Sequence, residues 1–224
     1  MSAPSEITGA LGRLDALTRR LRTECPWDRE QDARSIVPHT VEEAYELADA
    51  ANSGDDAKLL DELGDVLFQV HFLSLLLEER GAGDLGAVAE HCRQKLIRRH
   101  PHVFGDVEAE SAGAVLRNWD AIKSTEAGRE PGVFGDVPEN LPALLYARKL
   151  QRRAATAGLL ERAPDPPADA ERGAAFDEIG ERLLAVVDEA RRLRVDPELA
   201  LRAAAQRFRD RLEHQAPDSP QGAP

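Results

Sequence analysis

The sequence predicts an all-α fold, and three observations support this prediction. Apolar residues recur at the 3.6-residue period of a helix, whereas no stretch alternates at period two for long enough to indicate a sheet. Glycines and prolines separate the periodic segments, as expected at helix ends. The aromatic share of 4% favours a core of Leu, Val and Ala, which a helical bundle allows. We therefore expect a bundle of helices.

Six helices are predicted in the first 160 residues. The first carries a leucine stripe and ends at the sequence Cys-Pro-Trp-Asp of residues 25–28. Gly54 and Gly81 are plausible stop signals for the second and third helices. The stripe of the first helix consists of Leu11, Leu14, Leu17 and Leu21. The other helices are expected at about 35–53, 55–80, 84–100, 111–126 and 139–157.

The second half of the chain is predicted to hold a smaller helical region. Pro164, Pro166 and Pro167 indicate a linker at 161–173, which is followed by helices at about 174–193 and 197–214. The tail 215–224 is expected to be disordered. The predicted division is therefore a main helical domain at 1–160, the linker, a second unit at 174–214 and the tail.

The second unit repeats parts of the first. The sequence Asp-Glu-Leu-Gly-Asp-Val-Leu at 61–67 resembles Asp-Glu-Ile-Gly-Glu-Arg-Leu at 177–183, and residues 94–99 resemble 206–211. No Glu-Glu-x-x-Glu sequence precedes the second copy. We interpret it as a degenerate repeat that keeps the packing of the first and has lost its acidic partner.

Composition narrows the class of protein. A net charge of −12 and a pI of about 5.0 do not favour non-specific binding to nucleic acids or to anionic membranes. Cys25 and Cys92 are too few for a disulfide scaffold. Neither a signal peptide nor a long apolar run follows Met1. We expect a soluble, cytoplasmic protein with neither nucleic acid nor membrane as its partner.

Two acidic sequences predict a cation site. Within each, carboxylates three or four positions apart share one helical face. If the two helices pack face to face, four carboxylates converge, and they repel one another unless they protonate or bind a cation. Magnesium takes oxygen ligands and commonly bridges to substrate phosphates. The four are Glu43 and Glu46 in the first sequence and Glu62 and Asp65 in the second, with Glu42 beside them.

The alternative interpretation is a solvated acidic face, the usual position of glutamate on a helix. Three details count against it. Asp65 precedes an apolar run, Val66 to Val70, that we expect to be buried. Gly64 is a poor helix former and suits close packing or ligand approach. The residues between Glu43 and Glu46 are Ala and Tyr rather than lysines.

Basic and aromatic residues suggest a binding site for the phosphates and the base of a nucleotide. Cations end the fourth helix, where they either complement its dipole or clamp phosphates. Trp27 is expected to be a partly buried structural residue. Trp119 is either a residue of the same kind or part of a nucleotide pocket. The P-loop sequence, the Glu-x-x-His pair of di-iron bundles and zinc-ligand spacing are all absent from the sequence. The candidate substrate-binding residues are Lys95, Arg98, Arg99 and Trp119.

Several motifs in the same order resemble the MazG nucleoside triphosphate pyrophosphohydrolases. They are Cys-Pro-Trp-Asp-Arg-Glu-Gln at 25–31, the two acidic sequences, Lys-Leu-Ile-Arg-Arg-His-Pro-His-Val-Phe-Gly-Asp at 95–106, Leu-Pro-Ala-Leu at 141–144 and Lys-Leu-Gln-x-Arg-Ala-Ala at 149–155. The resemblance is strong over about residues 10–160 and weak over 174–213.

The resemblance implies a helical bundle of the all-α NTP pyrophosphatase type that acts as a homodimer. It implies magnesium-dependent hydrolysis of a nucleoside triphosphate to the monophosphate and pyrophosphate, with Mn²⁺ as an alternative ion. Carried over by motif, Glu43, Glu46, Glu62 and Asp65 would be the metal ligands. Lys95 and Arg99 would hold phosphates, with Arg98 beside them and Trp119 near the nucleotide, while Glu42 would orient water or the ligands.

Some family members carry two full repeats of which the second is active, and this chain departs from that pattern. Glu178 and Glu181 have no partner acidic sequence, so activity is expected in the first repeat. Two alternatives stay open: a catalytically inactive helical scaffold that dimerises, and an enzyme restricted to one deoxynucleotide, canonical or damaged.

Overall fold

The all-α prediction is confirmed. The computed structural model describes residues 3–108, 112–124, 126, 132–135, 137–161, 164 and 169–215, and its regular structure there is helical. None of the described helices is both long and apolar enough to cross a membrane. The helices are α1 (Pro4–Glu24), α2 (Pro26–Glu30), α3 (Ala33–Ser53), α4 (Asp56–Glu79), α5 (Leu85–Arg99), α6 (Pro101–Phe104), α7 (Ala112–Ser124), α8 (Ala143–Thr156), α9 (Asp169–Leu193) and α10 (Pro197–Gln215).

Helices α3 and α4 form a hairpin whose turn is set by Gly54 and Asp55, while Asp32 caps the far end of α3. The Asp32 carboxylate accepts hydrogen bonds from the backbone amides of Arg34 and Ser35 and so caps the start of α3. Gly54 ends α3 in the left-handed conformation at φ 72°, which glycine adopts without a Cβ clash. Asp55 then caps α4. The turn places the two acidic sequences on adjacent helices.

The first compact unit spans 1–96 and has its core between α3 and α4. Ile36, Phe72 and Leu76 are buried there together, with less than about a twentieth of each exposed. Helix α1 is tied to α4 by two ion pairs. Arg19 donates to Glu78 through Nη2 at 2.6 Å and through Nη1 at 3.0 Å. Arg22 donates to Glu79 through Nε at 2.8 Å and through Nη2 at 2.9 Å.

The second compact unit spans 97–224, and its core lies between α8 and α10. The Glu198 carboxylate accepts from the backbone amide of Ala143 at 2.8 and 3.0 Å, and therefore caps the start of α8. The Tyr146 hydroxyl donates to Gln206 at 3.0 Å. The buried core residues are Phe134, Val137, Tyr146, Leu150, Ala154, Ala205 and Leu212.

The predicted elements differ from the observed ones at three places. The first helix ends at Glu24 as predicted, but the residues after Cys25 form a short helix of their own, α2, because proline is favoured at a first helical position. Helix α9 begins at Asp169, inside the segment predicted as linker. The boundary between the compact units falls within α5. The domain division, the degenerate repeat and the disordered tail stay predictions, and residues 216–224 lie outside the described part.

Candidate metal and phosphate sites

Three of the predicted carboxylates meet between α3 and α4. Glu43 projects from α3, and Glu62 and Asp65 project from α4. Each offers a carboxylate oxygen, and these three oxygens all lie within 4.8 Å of one another. Glu43 and Glu62 are half-buried, whereas Asp65 is exposed. The arrangement leaves one side of the cluster open to solvent and to a ligand.

The cluster is electrostatically unfavourable without a cation. Burial is the first cause that raises the pKa of Glu43, and the neighbouring charges of Asp65, Glu46 and Glu62 raise it further. The pKa of Glu62 is also raised, first by burial and then by Glu46 and Asp65. Carboxylates that resist ionisation at this spacing fit a divalent cation, which would relieve the repulsion.

The two remaining glutamates of the first acidic sequence lie at different positions. Glu46 makes a side-chain hydrogen bond with Glu43, and its negative charge raises the pKa of both Glu43 and Glu62. Glu46 therefore lies at the edge of the cluster. The Glu42 carboxylate lies instead toward His39, 3.9 Å from its Nδ1, and is 67% exposed. The structure therefore groups Glu46 with the cluster and leaves Glu42 outside it.

The apolar run beside Asp65 is less buried than predicted. Within the run, Leu67 and Val70 expose 37% and 40% of their surface. Phe68 is half-buried and packs against the core between α3 and α4. A Cβ added at Gly64 would meet nothing within 4 Å. The prediction of burial is therefore wrong for Leu67 and Val70 within the single chain, and the open space at Gly64 contradicts close packing while leaving room for a ligand to approach.

One of the predicted phosphate-binding residues, Arg99, already forms an ion pair within the chain. Lys95 is half-buried on α5, and Arg98 is exposed, with its Nη2 3.7 Å from Glu126. Arg99 forms a two-pronged ion pair, with Nε 3.0 Å and Nη2 2.5 Å from the two oxygens of Glu126. The pKa of Glu126 is lowered, first by this hydrogen bonding to Arg99.

Trp119 lies among cations rather than in an apolar core. Arg99 Cζ is 5.3 Å from the indole ring centroid, Lys123 Nζ is 5.1 Å away and Arg152 Cζ is 5.3 Å away. Arg99 and Trp119 were expected near the nucleotide, whereas Lys123 and Arg152 were not identified as site residues. Lys123 follows Trp119 by one helical turn, a signal that could have identified it.

The repeated acidic sequence of the second unit behaves differently. Glu178 and Glu181 are both exposed on α9. Within the described part of the chain, neither belongs to a cluster of three possible metal ligands. Trp27 is 49% exposed, with its ring 5.7 Å from that of His39.

Similarity to known proteins decides the family. Residues 31–104 match the MazG nucleotide pyrophosphohydrolase domain. Over 224 aligned residues the chain is 36% identical to a nucleoside triphosphate pyrophosphohydrolase of Escherichia coli K12, covering 90% of this chain and 85% of that protein. This chain belongs to the MazG family. The matched MazG domain contains the whole carboxylate cluster as well as Lys95 and Arg99.

Two further similar proteins come from Thermotoga maritima. The chain is 36% identical to its nucleoside triphosphate pyrophosphohydrolase/pyrophosphatase MazG, over 89% of this chain and 83% of that protein. A crystal structure of a mazG-related protein from the same organism is 23% identical, with a TM-score of 0.44, covering 50% of this chain and 98% of that one.

Proposed function

We propose that this chain hydrolyses nucleoside triphosphates to the nucleoside monophosphate and pyrophosphate, by attack of water at the α-phosphorus. Membership of the MazG family supports the reaction class. The observation that carries the proposal is the meeting of Glu43, Glu62 and Asp65 within 4.8 Å between α3 and α4. Such a cluster is suited to the phosphate chemistry of a divalent cation.

Glu43, Glu62 and Asp65, with Glu46 at the edge, would hold Mg²⁺, or Mn²⁺ as an alternative. A divalent cation bound there would polarise the phosphate and lower the pKa of water. The attacking water would be activated by the metal or by a carboxylate outside the ligand set, such as Glu42. A positioned general base of this kind typically contributes about 10²–10⁴-fold to the rate.

The cationic and aromatic residues would bind the rest of the nucleotide. Lys95, Arg98 and Arg99 would neutralise the phosphates and the charge that develops on the leaving pyrophosphate. Arginine suits this role because its planar guanidinium makes paired hydrogen bonds to phosphate oxygens. Trp119 would contact the nucleotide through its ring.

The protein is also proposed to be a homodimer. On α3, Val37, Val41 and Tyr45 recur at four-residue spacing and expose at least half of their surface. Continuous apolar faces of this kind mark interaction surfaces in soluble proteins. A second copy of the chain would cover this face together with the exposed leucines and valine of α4, which are Leu60, Leu63, Leu67 and Val70.

One assay separates the candidate functions. The protein is incubated with Mg²⁺ and single nucleoside triphosphates, including deoxynucleotides and damaged ones, and the products are identified. Monophosphate and pyrophosphate support the proposal, whereas diphosphate and phosphate contradict attack at the α-phosphorus. Turnover of one nucleotide alone would identify the restricted enzyme, and turnover of none would favour the inactive scaffold.

The first prediction tests the position of the active site. Asp65→Asn should reduce turnover by more than about 10²-fold, because it removes one ligand of a cation that serves both water and leaving group. The helical fold should survive, since Asp65 is exposed, and circular dichroism checks this. Glu178→Gln is the matched control in α9 and should leave turnover unchanged. If Glu178→Gln were inactive while Asp65→Asn kept its turnover, the active site would lie in the second unit.

A further inference from the structure

The surroundings of Trp119 concentrate positive charge from three separate helices. Arg99 comes from the end of α5, Lys123 from α7 and Arg152 from α8, and each places its charged group 5.1–5.3 Å from the indole centroid. The negative face of an aromatic ring attracts cations, so the indole holds these groups together. We call Arg99, Lys123, Arg152 and Trp119 the cation cage.

Positive charge concentrates around Lys123 in the cage. The pKa of Lys123 is lowered, first by burial and then by the positive charges of Arg99, Lys149, Arg153 and Arg152. Like charges held at short range in a partly desolvated place repel one another. A polyanion with several charged oxygens would be stabilised by the whole group at once.

A carboxylate of the chain already binds the guanidinium of Arg99 in the cage. Glu126 accepts hydrogen bonds from Nε and Nη2 of Arg99 at 3.0 and 2.5 Å. The pair is largely withdrawn from water, since the side chains of Arg99 and Glu126 are 12% and 21% exposed. Carboxylate and phosphate bind the same edge of a guanidinium with the same paired geometry, so both cannot bind that edge at once.

We infer that the cation cage binds a phosphate chain and that Glu126 is its internal competitor, which the chain must displace from Arg99. The nature of the ligand rests on the proposed function. Glu126 brings one negative charge, whereas a linear triphosphate or a pyrophosphate brings several, so the exchange favours phosphate. Glu126 would thereby weaken the binding of single phosphates more than that of longer chains, and it would limit retention of the released pyrophosphate.

The test measures binding of inorganic tripolyphosphate without hydrolysis. The full chain carries Trp27→Phe, which leaves Trp119 as its one tryptophan, and EDTA removes divalent cations. Tripolyphosphate should change the Trp119 fluorescence as it reaches the cage. In the same background, Glu126→Gln should lower the dissociation constant about tenfold, because the competing charge is removed. Pyrophosphate, titrated in the same way, distinguishes the leaving group from the substrate's chain as the ligand.

The matched control is Glu79→Gln. Glu79 makes the same two-pronged ion pair with Arg22, at 2.8 and 2.9 Å, and both residues belong to the first compact unit, whereas the cage belongs to the second. Its substitution should leave the affinity for tripolyphosphate unchanged. Glu126→Asp keeps the charge but shortens the side chain, and its affinity should lie between those of the parent and Glu126→Gln. This variant keeps the test valid if Glu126→Gln does not fold.

Two results would overturn the inference. If both Glu126 variants bind tripolyphosphate no more tightly than the parent, Glu126 holds Arg99 in place rather than competing for it. If no variant binds tripolyphosphate or pyrophosphate, the cage is not a phosphate site. Because the titration involves no turnover, loss of hydrolysis alone would count against the proposed function and leave this inference standing.

Discussion

At the scale of single residues, neighbouring glutamates in the first acidic sequence have different surroundings. Glu43 is half-buried among other carboxylates, whereas Glu42 is exposed and lies toward His39. Both sit on α3 and adjoin one another in sequence. A helix places adjacent residues about 100° apart, so one residue faces α4 and the other does not.

This difference predicts different effects on metal binding. Glu43→Gln should weaken Mn²⁺ or Mg²⁺ binding by at least about tenfold, because it removes the negative charge of one carboxylate ligand from the cluster. Glu42→Gln should leave metal affinity nearly unchanged, whatever it does to turnover. Isothermal titration calorimetry on both variants measures the two affinities. Equal losses would show that Glu42 is also a ligand and that the cluster rearranges when it binds metal.

At the scale of elements, the position of α1 on α4 depends on charged pairs as well as on packing. Arg22 holds Glu79 by two hydrogen bonds and also donates to the backbone carbonyls of Asp28 and Gln31, which lie in and after α2. The hydrogen bonds from Arg22 are the first cause of the lowered pKa of Glu79. One arginine thus connects α1, α2 and α4.

The lowered pKa of Glu79 gives a pH-dependent stability. A group whose pKa is depressed on folding stabilises the protein above its unfolded pKa, and this contribution is lost as the pH falls through the folded pKa. Glu79→Gln should therefore lower the free energy of unfolding at neutral pH. The loss should be about 1 kcal/mol or less, because the Glu79 side chain is 40% exposed. The difference from the parent should shrink in the acid range. Urea unfolding at several pH values measures it, and a difference that grows on acidification would contradict the assignment.

The elements also show what sequence alone can predict. The apolar period placed the long helices, and Gly54 and Asp55 at the α3–α4 turn have recognisable capping roles. The spacing of Glu43, Glu62 and Asp65 predicted their meeting because all three lie in one hairpin. The cation cage could be predicted only in part. Lys123 lies one turn after Trp119 on α7, whereas Arg152 belongs to α8, and no local pattern shows which helices come together.

At the scale of the whole molecule, the exposed apolar faces compete as sites for a second copy. One lies on α3 and α4, and another lies on α9, where Phe176 and Leu184 expose 77% and 64% of their surface. The homodimer is proposed to use the first. A face that pairs in solution should not tolerate a charge.

Charge substitutions therefore distinguish the two faces. Val70→Lys on α4 should convert a dimer to a monomer, because it buries an unpaired ammonium group at the contact. Leu183→Lys on α9 is the matched control and should leave the dimer intact. Sedimentation equilibrium gives the mass, and circular dichroism shows whether the helices persist. Dissociation by Leu183→Lys alone would move the interface to α9, and a monomeric parent would remove the proposed dimer.

The short turn at Gly54 has a consequence for the order in which this protein is made. All members of the carboxylate cluster lie between residues 43 and 65, so their meeting requires only that one helical hairpin close. Contacts of low sequence separation form early, and a growing chain folds from its N-terminal side. The cluster would thus be complete while more than half of the chain is still unsynthesised. A divalent ion in the cell would then stabilise the nascent hairpin before the cation cage exists.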